Sequence, residues 1–326
     1  MTNSTRESDP VQATTIGTRG SDLALWQAHH VQALLGGTAA GVQLRIIKTS
    51  GDRFLDIPLQ NQLDKGFFTK ELEAELLGGT IDLAVHSLKD LPTEHPPGLV
   101  LAAVPPRADT GDVLFVQRHA HDPQQPMGLR AGAKVGTASL RRMALLKAYA
   151  PQVQAEFLRG NVPTRLGKAK SGALDAVILA RAGVSRLGLD WGDLLAFDLD
   201  PTVWLPAAGQ GALGLQCRAE DSDLRQRLEA VADPAAALAV RCERDVLRRM
   251  EGGCHSPFGA LGLVNGDQVT LRAGAQAADG RWVAVRVTGA ADDVAAVAEA
   301  QLRAALAHPG ALDTEAAWLQ PARPWC

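Results

Sequence analysis

Short apolar runs of strand length alternate with longer stretches of helical spacing along this chain, and glycines punctuate the changes. That alternation restricts the fold more than any other feature, because it demands a sheet whose strands are joined by helices. Thr14-Thr15-Ile16-Gly17 reads as a strand. Ser21 then caps a helix over 23–35, which Gly36-Gly37 stops. Residues 44–49 read as a second strand, 51–66 as a long polar loop, 67–77 as a helix closed by Gly78-Gly79, and 81–86 as a third strand. Parallel strands are the expectation.

A second unit of the same kind follows a linker marked by Pro105-Pro106. Residues 113–116 and 135–138 read as strands, 140–149 as a helix, 155–158 as extended, and the chain from Asn161 to Lys170 as a helix. The unbroken apolar run 176–180 reads as a buried strand. Residues 202–216 are extended, rich in Gly and Pro, and suited to return to the first unit. The last third differs. Asp233-Pro234 starts a helix that runs to Met250. Asn265-Gly266 and Asp279-Gly280 then favour tight hairpins, so a small antiparallel sheet is expected, followed by an alanine-rich helix over 290–307. The expected organisation is a disordered leader over 1–13, a first α/β domain of 14–108 plus about 203–226, a second of 109–202, and a C-terminal α+β domain of 227–326.

Length supports several cores: 326 residues is long for one. No apolar run is long enough to cross a bilayer, and the polar first residues lack the apolar centre of a secretory signal. Cysteines stand at 217, 242, 254 and 326 without C-x-x-C spacing, which argues against a zinc ribbon and against a disulfide framework. A cytoplasmic location follows as the expectation.

Net charge is −3, so composition does not mark a polyanion binder. Distribution says more. From Arg141 to Arg186 nine basic residues face only Glu156 and Asp175. Arg141, Arg142 and Arg165 fall in or near the first turn of expected helices, where the macrodipole disfavours a cation by about 0.3–1 kcal/mol. Two readings follow: an anion docks there, or local carboxylates pair with them, of which few stand nearby in the sequence. Strand ends in open α/β sheets face the ligand crevice, and Arg19 with Ser21, Lys89 with Asp90, and Ser139 with the two arginines all follow strand ends. Asp90 is either half of a surface pair with Lys89 or a carboxylate that stabilises a developing cation. Cys254, just after Gly252-Gly253 at the end of a helix, is a buried structural thiol, a metal ligand with His255, or a nucleophile or attachment point.

Rival functions explain less. A non-catalytic two-lobed anion binder leaves Cys254 and the third domain without a role. A cysteine hydrolase using His255 or His86 lacks an orienting partner for either histidine. Nucleic-acid binding lacks interleaved aromatics, with only Tyr149 and Phe157 in the basic stretch.

Several segments together resemble the porphobilinogen deaminase (hydroxymethylbilane synthase) family. They are 18–28, 65–73, 85–92, 136–142, 158–165, 205–211 and the cysteine loop, in that order over nearly the whole chain. The resemblance implies two α/β domains facing a cleft, similar to periplasmic binding proteins, and a third domain carrying Cys254. It implies a dipyrromethane cofactor joined to Cys254 by a thioether. Four porphobilinogen units would be added to that primer with loss of ammonia, and water would release the linear tetrapyrrole. It further implies Asp90 as the catalytic carboxylate, with Lys89, Ser139, Arg141 and Arg142 on the cofactor. Arg19, Ser21, Arg159, Arg165, Arg186 and Lys65 would bind substrate. A monomer without nucleic-acid, membrane or metal partners is the matching expectation. The chain departs from the family pattern at Gly20, Asp22, Asn61 and Ser256; Asn61 leaves Lys65 as the lysine of its loop.

Overall fold

A computed structural model describes residues 13–49, 69–251 and 256–307. Three sheets organise them. In the first, β1 (Thr14–Thr18) lies between β2 (Val42–Ile46) and β3 (Leu83–Ser87), parallel to both. Beyond β3 come β10 (Leu213–Arg218) and then β4 (Leu99–Ala103), so the order is β2-β1-β3-β10-β4. The second sheet repeats the plan as β7-β6-β8-β5-β9, formed by β7 (Gln154–Phe157), β6 (Lys134–Thr137), β8 (Ala176–Ala180), β5 (Asp112–Val116) and β9 (Leu195–Leu199).

The expectation of parallel strands needs correction. β10 runs antiparallel to β3 and β4, and β5 runs antiparallel to β8 and β9. The reason is connectivity. β5 and β10 are the strands by which the chain enters the second lobe and returns to the first, so they arrive without a crossover helix and are free to run against their neighbours.

Helices cover both sheets: α1 (Asp22–Leu34), α2 (Lys70–Leu77), α3 (Leu140–Tyr149), α4 (Val162–Lys170), α5 (Arg181–Leu187) and α6 (Ser222–Glu229). Their starts follow local capping chemistry. Ser21, Ser139, Asn161 and Asp221 each accept a backbone N–H of the first turn. The expected helix over 67–77 is described from Lys70. Helix α5, not expected from the sequence, begins directly at the end of strand β8.

The third unit pairs β11 (Phe258–Asn265), β12 (Gln268–Gln276) and β13 (Trp282–Ala290) as an antiparallel meander. Helices α7 (Pro234–Arg249) and α8 (Val294–Ala307) pack on it around Val246, Phe258, Leu271, Val285 and Leu302. Each such side chain, removed from water, contributes about 1.5–3 kcal/mol. Among the described residues no helix is long and apolar enough to cross a membrane.

Candidate active site

The parallel strands of each lobe end on one edge, and the residues singled out from the sequence follow those ends. Arg19 follows β1. Ser87, the last residue of β3, leads into a short 3-10 turn, Leu88–Asp90, that carries Lys89 and Asp90. Ser139, Arg141 and Arg142 follow β6, Arg159 follows β7, and Arg186 lies on α5 after β8.

Arg141 and Arg142 are not free side chains awaiting an anion; both are buried against Asp112, the first residue of β5. Arg141 Nη2 donates to Asp112 Oδ2 at 3.0 Å. Arg142 donates twice, from Nε to Oδ2 at 3.0 Å and from Nη2 to Oδ1 at 2.7 Å. Trp204 Nε1 and Gln210 Nε2 complete the set at 3.0 and 2.7 Å. The reading that few carboxylates stand near these arginines therefore holds only along the sequence. Burial would raise the Asp112 carboxyl, but the Arg142 and Arg141 guanidiniums outweigh it and hold it well below the usual carboxylate range.

A cationic surplus remains. Two guanidiniums share one carboxylate, and Lys89 of the other lobe lies within their electrostatic reach. Desolvation brings the Lys89 ammonium down to about 8, with Asp90 and Asp112 drawing it up and Arg142 and Arg141 pushing it down. Arg165 and Arg186 are lowered to about 10 by burial. Arg165 Nε donates to Gly160 O at 2.7 Å and Arg186 Nη2 to Gly211 O at 2.7 Å. Among the described residues neither forms an ion pair with a carboxylate. Asp90, exposed at its turn, acts on Arg165 from the opposite lobe.

The structure thus brings Lys89, Asp90, Arg141, Arg142 and Arg165 together from two lobes. Arg186 also lies over the Trp26 ring, 5.6 Å from its centroid, and so seats α5 against α1. Arg159 lies over Phe157 at 5.6 Å. Arg19 acts on buried His86, whose imidazole burial lowers to about 4 and whose Nε2 meets Gln216 Oε1 at 2.9 Å. Ser21 and Ser139 spend their oxygens on the N–H groups of Ala24 and Arg142, both at 3.4 Å, which leaves each hydroxyl proton to donate. Lys65, Asn61 and Cys254 lie outside the described residues.

Sequence reasoning missed the residues that hold this arrangement. Glu243 on α7 is fully buried and takes a bidentate pair from Arg107 at 2.7 and 2.9 Å, plus the N–H groups of Gly209 and Gly262, both at 2.8 Å. Its neighbour Arg244 donates to Leu91 O at 2.8 Å and Pro92 O at 2.6 Å, just past Asp90. The third unit therefore grips the Asp90 loop and both inter-lobe crossovers. A carboxylate on the apolar stripe of α7, and another opening the otherwise apolar β5, were the available signals.

Could a polycarboxylate such as a dipyrromethane fit these residues? Arg141 Nε is buried and has no hydrogen-bond partner. Such an orphaned donor, among desolvated cations in excess, suits a carboxylate group.

Two α/β lobes joined by two crossovers, with cations from both lobes gathered around one exposed carboxylate, define a two-lobed α/β protein with a cationic cluster between its lobes. Residues 14–226 match the family model described as porphobilinogen deaminase, dipyromethane cofactor binding domain, and 237–305 match its C-terminal domain. Relatives named porphobilinogen deaminase include those of Syntrophomonas wolfei, 44% identical over 82% of this chain and 86% of that one, and Roseiflexus castenholzii, 44% over 88% and 93%. That of Geobacter sulfurreducens is 44% identical over 85% of this chain and 86% of its own. Among solved structures, the Bordetella pertussis BvgS periplasmic VFT2 domain is 17% identical over 67% of this chain and 86% of that one, at a TM-score of 0.39. The chain belongs to the porphobilinogen deaminase family.

Proposed function

We propose that this chain is a hydroxymethylbilane synthase, which condenses four porphobilinogen units with loss of ammonia and releases the linear tetrapyrrole by hydrolysis. The observation that carries the reading is that Lys89 of one lobe and Arg165 of the other each lie within electrostatic reach of both Asp90 and Arg142. Each porphobilinogen bears two carboxylates, so the growing chain needs many cations and one well-placed acid.

A dipyrromethane held through Cys254 would supply the pyrrole α-carbon from which the chain is extended. Lys89, Ser139, Arg141 and Arg142 would hold its carboxylates, and Arg141 Nε–H would gain its missing acceptor. Arg19, Ser21, Arg159, Arg165, Arg186 and Lys65 would take those of incoming units. Burial disfavours the charged forms of Arg165 and Arg186, and a bound carboxylate offsets that cost. The Asp90 carboxylate would accept pyrrole N–H groups and stabilise the positive charge that develops as ammonia leaves. Because the oligomer stays attached, each addition is effectively intramolecular. A monomer suffices, since one chain supplies both walls of the cleft. The free thiols of Cys217 and Cys242 suit a reducing cytoplasm.

Intact-mass measurement of protein from an expressing host tests this. An adduct of two linked pyrroles mapping to the Cys254 peptide is expected. An unmodified thiol in a protein that still consumes porphobilinogen overturns the proposal.

A further inference from the structure

The turn Gly209-Gln210-Gly211 lies where the two crossovers meet, and four of the site's cations touch it or its partners. Both glycines have positive φ, +75° and +85°. A Cβ on Gly211 would sit 2.5 Å from Ala108 O and 2.8 Å from Asp109 O, so only glycine lets the returning crossover press against the outgoing one. Between them the buried Gln210 side chain uses both ends. Its Nε2 donates to Thr110 O at 2.8 Å, Gly111 O at 3.2 Å and Asp112 Oδ1 at 2.7 Å. Its Oε1 accepts from Lys89 Nζ at 3.5 Å. Its backbone oxygen accepts from Arg107 Nε at 2.9 Å, which ties it to Glu243 of the third unit. Arg186 donates to the next carbonyl, Gly211 O, at 2.7 Å.

We infer that Gln210 is a positioning residue for the reaction: its amide fixes Lys89 of the first lobe in relation to the Asp112–Arg141–Arg142 cluster of the second, so that one carboxylate receptor spans the cleft. Lys89 alone is a flexible four-carbon stem with three donors. Seated on Gln210 Oε1, its ammonium is aimed and partly solvated by a dipole that cannot turn, because the amide's other end is held by three acceptors. The inference rests on the reading of this chain as a hydroxymethylbilane synthase. A wild-type protein without turnover defeats that reading; turnover with the wrong variant pattern defeats only the inference.

The experiment is a double-mutant cycle on the holoenzyme with Gln210→Met, Lys89→Met and the pair, measuring kcat/KM for porphobilinogen. If Gln210 acts through Lys89, Gln210→Met costs about tenfold in the wild-type background, the scale of one hydrogen bond to a charged group. It costs less than about twofold once Lys89 is already Met. A second readout does not use turnover. Amine acylation of Lys89 at fixed pH, followed by peptide mass, should be faster in Gln210→Met, because an ammonium that loses a hydrogen-bond acceptor gives up its proton more readily. Equal costs in both backgrounds, or unchanged acylation, overturn the inference. Should Gln210→Met fail to fold, Gln210→Asn keeps an amide but withdraws it by one methylene, and must give the same pattern more weakly; an additive Gln210→Asn likewise overturns it.

Discussion

Asp112→Asn is the perturbation whose size follows most directly from the structure. The residue is 1% exposed, and its carboxylate accepts five hydrogen bonds, three of them from guanidiniums that are themselves buried. Asparagine preserves shape but removes the only carboxylate that pairs with Arg141 or Arg142 among the described residues. Removing one partner of a buried ion pair costs about 3–5 kcal/mol, because the other charge stays desolvated. At about 2–4 °C per kcal/mol for a cooperative unit of roughly 200 residues, the size of the two lobes together, the melting temperature should fall by about 6–20 °C. Calorimetry at pH 7 alongside tryptophan fluorescence measures it, the second probe guarding against separate melting of the lobes. The pH dependence provides a sign. The folded Asp112 carboxyl titrates below its unfolded value of about 3.9. Its contribution is therefore complete above that value and disappears as pH falls below it. The gap between wild type and variant should stay constant from pH 8 to 5 and narrow only below about pH 4. A melting temperature within about 2 °C of wild type at pH 7, or a gap that narrows as pH rises, would refute the argument.

Two further outcomes bear on the chemistry. Asp90→Asn should keep the fold and the Cys254 adduct yet lose about 10²–10³ of kcat, the scale of one preorganised electrostatic group; steady-state kinetics with intact mass checks this, and retained turnover removes Asp90 from the mechanism. The Lys89 ammonium, lowered to about 8, should be charged below that pH and lost above it. Activity should therefore decline on the alkaline side near pH 8, and Lys89→Arg, which stays charged, should shift or abolish that limb.

Which parts of this were readable in the chain follows from the range over which each residue acts. Ser21 was readable as a helix cap because a cap bonds to an N–H three residues away, and the sequence contains both partners; Ser139 and Asn161, at helix starts the sequence also marked, cap in the same way. Strand ends and helix starts were readable for the same reason, and they placed Arg19, Lys89, Asp90 and Arg141 on the crevice edge. The antiparallel course of β5 and β10 was not, because strand direction depends on where a long connection arrives rather than on the strand's residues.

The supporting carboxylates were hidden for a related reason. Asp112 reaches Arg141 and Arg142 across 29 and 30 residues, and Glu243 reaches Arg107 across 136. Counting charges in a sequence window found nine cations against two carboxylates and suggested free arginines. The fold instead brings one carboxylate to the two it buries, because a guanidinium so deeply placed must have a partner whether or not a ligand is present. Among the described residues Arg165 and Arg186 form no ion pair with a carboxylate, and both are less deeply buried than Arg141 and Arg142. Site charge in this chain therefore divides by depth. Inner arginines are compensated internally even where Arg141 keeps one donor for the proposed cofactor, while outer ones would meet the carboxylates of incoming units. If that division holds, alanine at Arg165 or Arg186 should weaken substrate binding with little loss of stability, whereas Asp112→Asn should do mainly the reverse.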